Sequence, residues 1–145
     1  MLEFTNYQNE IIGYGLQVPY SFDEASGKTV SNTGIARINQ SIHHILSTRV
    51  GSRFFLPEFG SKLYKLIFEP NDYILKEFLI QYTKEALAKW EKRINNISVD
   101  ALILEKESEV PVYIAYTLIN TNVTGNYIYP FNRETYEPGT YATEY

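Results

Sequence analysis

The sequence predicts an α+β fold: two main helices packed on a small antiparallel sheet, with a three-stranded meander at the C-terminal end. Three observations carry this. Apolar residues recur at helical spacing through Ile35, Ile38, Ile42, Ile45 and Leu46. They do so again through Leu75, Phe78, Leu79, Tyr82, Ala86 and Trp90. From Ile97 onward the period falls to two, as expected of strands.

The first segment with local character is Gly13–Asp23. Leu16–Tyr20 and Lys28–Val30 either pair as short strands around the turn-forming Ala25-Ser26-Gly27 or run extended and unpaired. The first helix opens near Thr33, with Asn32 or Thr33 as its N-cap, and Gly51 stands where a left-handed residue would close it. His43 and His44 are neighbours on this helix and so point apart. A helical metal pair needs i, i+4 spacing, so they read as ordinary solvated or hydrogen-bonded histidines.

Thr48–Leu63, TRVGSRFFLPEFGSKL, is too irregular to be one helix or one strand. Gly60-Ser61 breaks the chain, and Leu63, Leu66 and Ile67 start a short helical piece. The main helix follows, with Asn71 as its cap, Asp72 facing the positive end of the dipole, and Glu85→Lys89 as a favourable i, i+4 pair. It ends in a second dense cluster, Trp90-Glu91-Lys92-Arg93-Ile94, expected to meet the first cluster and form a site.

Ile97–Leu104 and Val112–Ile119 then form a hairpin across the charged loop Lys106–Glu109. The second strand is apolar on both faces, which places it centrally in its sheet. Gly125-Asn126 makes a turn into Tyr127-Ile128-Tyr129, and Pro130 puts that strand at an edge or at its own end. Residues 1–133 read as one domain. Glu134–Tyr145 reads as a tail that is loosely held or ordered by a partner.

At 145 residues, 44% apolar and 21% charged, the chain has an ordinary globular composition. It lacks cysteine, which excludes disulfides and thiolate chemistry. A net charge of −4 with no basic run gives no reason to expect nucleic acid. There is no signal-peptide pattern at the start and no apolar run of membrane-spanning length. A soluble, non-secreted domain is the expectation. Thirteen tyrosines fit a protein rich in interface, and equally one rich in sheet.

Catalysis has one opening worth weighing. Glu58, Glu69 and Glu91 offer carboxylates for glycoside hydrolysis, which needs two across a cleft with one pKa raised by burial. Against it, Glu58 and Glu91 each have an arginine nearby, Arg53 and Arg93, and such pairing would spoil a general acid. No serine sits in a nucleophile elbow and no glycine-rich phosphate loop follows a strand. Catalytic, cofactor-binding and metal-ligating residues are therefore all read as none.

Several motifs occur in a telling order: G-x-G-L-x-V-P-Y at Gly13–Tyr20, the helix INQSIHHIL, then T-x-x-G-x-R-x-x-x-P-E-F-G-S-x-L from Thr48, and finally W-E-K-R-I from Trp90. Together they resemble the small baseplate wedge, or sheath-initiator, proteins of contractile phage tails, whose type VI secretion counterpart is called TssE. Gly51, Arg53, Pro57, Glu58, Phe59 and Gly60 match the central motif of that family. Glu91 and Arg93, next to Trp90, match the outer positions of its Glu-Pro-Arg motif. Lys92 departs from it, since proline would stop the helix where lysine lets it fray or continue.

The resemblance implies a structural protein of the virion tail baseplate, assembled in the bacterial cytoplasm and needing no cofactor. It implies docking on other baseplate wedge proteins through the two clusters. It also implies that Tyr127, Ile128 and Tyr129 are offered to the tail sheath protein for strand addition, with the tail tube or hub as a further contact. Nucleic acid and membrane are not expected partners. Members have also been labelled lysozyme-like, so a peptidoglycan-cleaving glycosidase using Glu58 and Glu91 is the alternative. The geometric expectation is that Arg53 and Glu58 lie near Glu91 and Arg93, with acids and bases alternating and no catalytic cleft between them.

Overall fold

The computed structural model describes residues 12–13, 15–103 and 108–133. The tail Glu134–Tyr145 and the centre of the charged loop before Glu109 lie outside the described residues. The chain divides into two compact units, with the break between Ser41 and Ile42.

In the first unit, β1 (Gly15–Leu16) pairs antiparallel with β4 (Ser31–Asn32), and β2 (Phe22–Asp23) pairs with β3 (Lys28–Thr29). Asp23 builds the turn between β2 and β3: its carboxylate accepts from Ser26 Oγ at 2.6 Å and from the Ala25 amide at 3.2 Å. Gly27 closes that turn at φ +65°. The two arms of chain thus pair, but as two short ladders, and Leu16 faces Ser31 rather than the 28–30 segment. Helix α1 (Gly34–Ser47) begins in this unit and continues into the second. Ile38, Ile42, Ile45 and Leu46 form its buried stripe, with Ile35 only half-buried. At the end of the helix the Thr48 hydroxyl and the Thr48 amide both donate to the His44 carbonyl, at 2.6 Å and 3.2 Å. Gly51 has φ +92°, yet it lies beyond the helix end and serves the loop, not the helix cap.

The second unit continues through a loop, a 3-10 turn at Leu63–Leu66, and helix α2 (Tyr73–Trp90). A meander follows: β5 (Ile94–Ala101), β6 (Glu109–Leu118) and β7 (Thr124–Asn132), in the order β5-β6-β7, all antiparallel. The α+β class and the meander are as the periodicity predicts. The cap of α2 is Asp72, not Asn71; its Oδ1 accepts from the Leu75 amide at 2.9 Å. Asn71 instead accepts from Arg133 Nη1 at 2.6 Å, while the same guanidinium donates to the carbonyls of Ile67 and Glu69. The first residue after β7 thereby clasps the turn before α2.

The buried stripe of α2 is Leu75, Leu79, Thr83, Ala86 and Leu87. Phe78, Tyr82 and Trp90, expected on that stripe, lie on its flank, with Phe78 stacked on Tyr82 at 5.8 Å. On the sheet, Val99 and Ala101, then Val110, Val112, Ile114, Tyr116 and Leu118, then Tyr129 and Phe131 make one buried face. β6 is central as predicted, but it is buried on one face only: Tyr113, Ala115 and Ile119 are exposed. The turn into β7 also falls earlier than Gly125-Asn126. Asn120 takes the left-handed conformation, at φ +60°, and β7 is already running at Thr124. Gly125 sits inside the strand because a Cβ there would lie 2.5 Å from the Tyr116 ring.

Candidate functional site

Residues 48–61 form a loop pinned at its base. The Ser61 amide donates to the Thr48 carbonyl at 2.9 Å, and the Val50 amide donates to the Ser61 carbonyl at 3.3 Å. Buried Ser61 donates from Oγ to the Leu46 carbonyl at 2.7 Å, securing the loop to the end of α1. Gly60 is needed for this closure: its φ is +114°, and a Cβ would come within 2.2 Å of the Thr48 carbonyl oxygen. Substituting Gly60→Ala is expected to cost about 3 kcal/mol, read as a shifted denaturant midpoint at unchanged slope. Higher up, the Gly51 amide donates to the Pro57 carbonyl at 2.7 Å, closing a smaller ring around 51–57. Three motif residues, Gly51, Pro57 and Gly60, therefore shape the loop.

The other motif residues face α2. Phe59 meets Trp90 edge-to-face with ring centroids 5.1 Å apart, and the Arg53 guanidinium lies 4.7 Å above the Phe59 ring. Glu58 pairs with Lys89 at 3.1 Å and Lys62 with Glu85 at 2.8 Å. Glu85 and Lys89 thus reach off the helix to the loop, not along the helix to each other. Glu85 raises the Lys62 pKa, chiefly by accepting its hydrogen bond. Between loop and helix lies a cleft of about 170 Å³ lined by Glu58, Lys62, Tyr82, Glu85, Lys89 and Trp90. Acids and bases alternate around it, but the expected Arg53–Glu58 pair is replaced by Lys89–Glu58. These pairs are exposed, so they orient side chains more than they stabilise the fold.

Glu91 and Arg93 occupy the three-residue link between α2 and β5. Glu91, only 3% exposed, closes the helix with its amide on the Leu87 carbonyl at 2.9 Å. Its carboxylate grips Arg93 bidentately, Nε to Oε1 at 2.7 Å and Nη2 to Oε2 at 2.6 Å. That hydrogen bonding raises the Arg93 pKa. The Arg93 carbonyl accepts from the Ile119 amide at 2.9 Å, fixing the link to the end of β6. Nearby Tyr116 has its phenol pushed up to about 12, by burial first and the Glu91 charge second. Lys92 lets the helix neither fray nor continue. The helix stops at Trp90 with Glu91 as its C-cap, and Lys92 Nζ donates to the last-turn carbonyl of Ala88 at 2.8 Å.

The structure therefore joins Arg53, Glu58 and Phe59 to the Lys89–Trp90 end of α2. It joins buried Glu91 to half-buried Arg93 in a pair of their own. His43 is half-buried, and its Nδ1 lies 2.9 Å from the Tyr127 hydroxyl. Burial, then the neighbouring His44, lowers its pKa. No group of three or more potential metal ligands gathers among the described residues.

Tyr127, Ile128 and Tyr129 do not behave as one unit. Hydrogen bonds from the Arg133 amide to the Ser108 carbonyl and from the Leu118 amide to the Val123 carbonyl fix the ladder's alternation. Tyr127 and Tyr129 turn their backbone groups to β6 and their side chains to the buried face. Ile128, with Thr124, Asn126 and Asn132, turns its backbone groups to the other edge, and its side chain is 56% exposed. Pro130 shares that outward parity, where its missing N–H costs no ladder bond. Among the described residues, β6 is the only strand paired with β7.

One feature escaped the sequence reading. Phe54 and Phe55, at the loop tip, are 90% and 93% exposed, and Leu56 is exposed beside them. They fall in the unspecified positions of the central motif, so motif matching passes over them. Adjacent phenylalanines in a turn-rich loop are the signal that could have found them.

An α+β fold with a pinned loop docked on its second helix and a meander whose last strand, among the described residues, pairs on one side is the class that the comparisons then specify. Residues 32–123 match the family model of baseplate wedge protein gp25, and the chain belongs to that family. The baseplate wedge protein gp25 of Enterobacteria phage T4 is 34% identical over 93 residues, 63% of this chain and 64% of that protein's length. The chain thus spans a little under two thirds of this curated relative. A Geobacter sulfurreducens crystal structure, provisionally described as a tail lysozyme, superposes with a TM-score of 0.62 at 34% identity over 67% of this chain and 88% of that one. A chain of the anti-feeding prophage baseplate shares the fold, with a TM-score of 0.65 at 19% identity over 79% of this chain and 92% of that one. This chain is accordingly a structural baseplate wedge component.

Proposed function

We propose that this wedge component couples two contacts: docking on other wedge proteins through the loop–helix surface, and strand addition to the tail sheath protein along β7. The observation that carries the second contact is the outward row of backbone groups at Thr124, Asn126 and Ile128. Such an edge accepts an added strand through main-chain hydrogen bonds, with the alternate side chain of Ile128 contributing selectivity. For the first contact, Arg53, Glu58, Phe59 and Trp90 offer an aromatic and charged face. Gly51, Pro57, Gly60, Glu91 and Arg93 hold that face in shape. The tail tube or hub is a further contact in this reading, and the assembled site is the tail baseplate.

The glycosidase reading draws on the carboxylates of Glu58 and Glu91 and on the description of the Geobacter relative. Geometry weighs against it. A carboxylate gripped bidentately by a guanidinium is a poor proton donor, and Glu91 is so gripped. Glu58 is solvent-exposed in an ion pair with Lys89, far from the apolar setting a general acid needs. In a reconstitution from purified parts, baseplates lacking this chain should fail to nucleate sheath and adding it back should restore growth. The same preparation should leave the turbidity of a murein suspension unchanged. Murein clearing that Glu58→Gln abolishes would replace this reading with the enzymatic one.

A further inference from the structure

The central motif skips three residues, and those three are the ones the loop displays. We propose that Phe54, Phe55 and Leu56 are an aromatic anchor that inserts into an apolar pocket, rimmed by carboxylates, on another protein of the wedge. The proposal deepens the docking reading above and rests on it.

The two phenylalanine rings meet edge-to-face with centroids 5.1 Å apart, and nearly all of their surface faces water. Isolated exposed apolar residues are normal, but two adjacent phenylalanines and a leucine at one tip make a continuous apolar knob. The knob is also held in shape. The Gly51–Pro57 hydrogen bond crosses beneath it. The Leu56 amide donates to the Arg53 carbonyl at 3.3 Å, and the Phe59 amide donates to the Leu56 carbonyl at 3.0 Å. Ser52 adds its hydroxyl to the Arg49 carbonyl at 2.7 Å. A preformed loop has little backbone freedom left to lose on docking, and rigid aromatic side chains in a buried pocket are what dominate interface affinity.

Charge identifies the pocket's rim. Arg53 adjoins the tip, with its guanidinium 4.7 Å over the Phe59 ring, and Arg49 stands at the loop base, 4.6 Å over Tyr64. The ion pairs found among the described residues, Lys62–Glu85, Lys76–Asp100, Lys89–Glu58 and Arg93–Glu91, engage neither of them. A chain of net charge −4 therefore sets arginines on the loop that carries its apolar knob, and acidic residues around the receiving pocket complete the match.

The test titrates the full chain, and its Phe54→Ser/Phe55→Ser variant, against each of the other purified wedge proteins of the same particle at low and raised salt. Because both rings are exposed, the variant should melt within a degree or two of the parent. Its Kd for one wedge protein should weaken about 100-fold or more, while Phe54→Leu/Phe55→Leu keeps most of the affinity. Arg53→Glu should weaken binding and flatten its salt dependence. Undiminished binding by the serine variant, with binding lost in Glu58→Lys, overturns the anchor and leaves the docking reading standing. Failure of the parent to bind any wedge protein overturns both. Tip-dependent self-association in sedimentation, or tip-dependent flotation with phosphatidylglycerol vesicles, each without tip-dependent wedge binding, also overturns it.

Discussion

Arg93→Ala is expected to destabilise the domain by about 3 kcal/mol. The carboxylate of Glu91 is only 3% exposed and Arg93 is 29% exposed, so removing the guanidinium strips a buried charge of its bidentate partner. Glu91→Ala should cost less, because the Arg93 guanidinium already reaches water. The order of the two variants is thus a sharper test than either value. The sign with pH also follows. Without Arg93, burial raises the folded-state pKa of Glu91 above the ordinary glutamate value of about 4.3. The folded variant then holds its proton to higher pH than the unfolded chain, so its stability falls as pH rises through that interval. The deficit relative to the parent should therefore be largest at neutral pH and shrink towards pH 4, measured by denaturant titration across that range. A constant deficit would mean that Glu91 gains its stability from its other contacts. Either variant also perturbs assembly only after perturbing the fold, which makes them poor probes of docking.

Ile128→Pro is expected to abolish sheath nucleation while leaving the domain folded. The amide of Ile128 points away from β6, so proline there removes no bond of the meander. Pro130 already occupies an outward position of the same strand. A stability change of about 1 kcal/mol is the expected cost to the isolated domain, from the fixed φ and the lost pairing of Ile128 with Tyr113. An added strand, by contrast, loses a donor in the middle of its ladder and meets a ring in its path. Tyr129→Pro is the matched control. Its amide faces Val112 and its ring is buried, so that variant should unfold the meander. Baseplates carrying Ile128→Pro should form and be joined by no sheath, scored by electron microscopy of reconstituted tails. Normal sheath growth on them would remove strand addition from the account.

Much of the fold was legible because burial obeys period. The long apolar patterns of 35–46 and 75–90 gave both helices, and the shift to period two after Ile97 gave the meander. What escaped depends on tertiary partners. Counting large aromatics as core rotated the face of α2, because Phe78, Tyr82 and Trp90 line a flank while Thr83 is buried. Glu85 and Lys89 satisfied a helical pairing rule on paper, yet Lys62 and Glu58 were nearer partners in space. Gly125-Asn126 had turn chemistry, but the glycine serves the packing of Tyr116, and the turn belongs to Asn120. At the site, the motif residues were legible and their division of labour was not. Whether a glycine shapes a loop or a phenylalanine displays itself from one is decided by hydrogen bonds that sequence does not show.

Amide hydrogen exchange of segment 124–132 tests the central claim most directly. In the free chain, amides of Tyr127 and Tyr129 should be protected by β6, and those of Thr124, Asn126 and Ile128 should exchange fast. In assembled tails with sheath attached, the second set should slow by about 100-fold or more while the first changes little. Outward amides that still exchange fast in the assembled tail, or that are already protected in the free chain, would contradict the account.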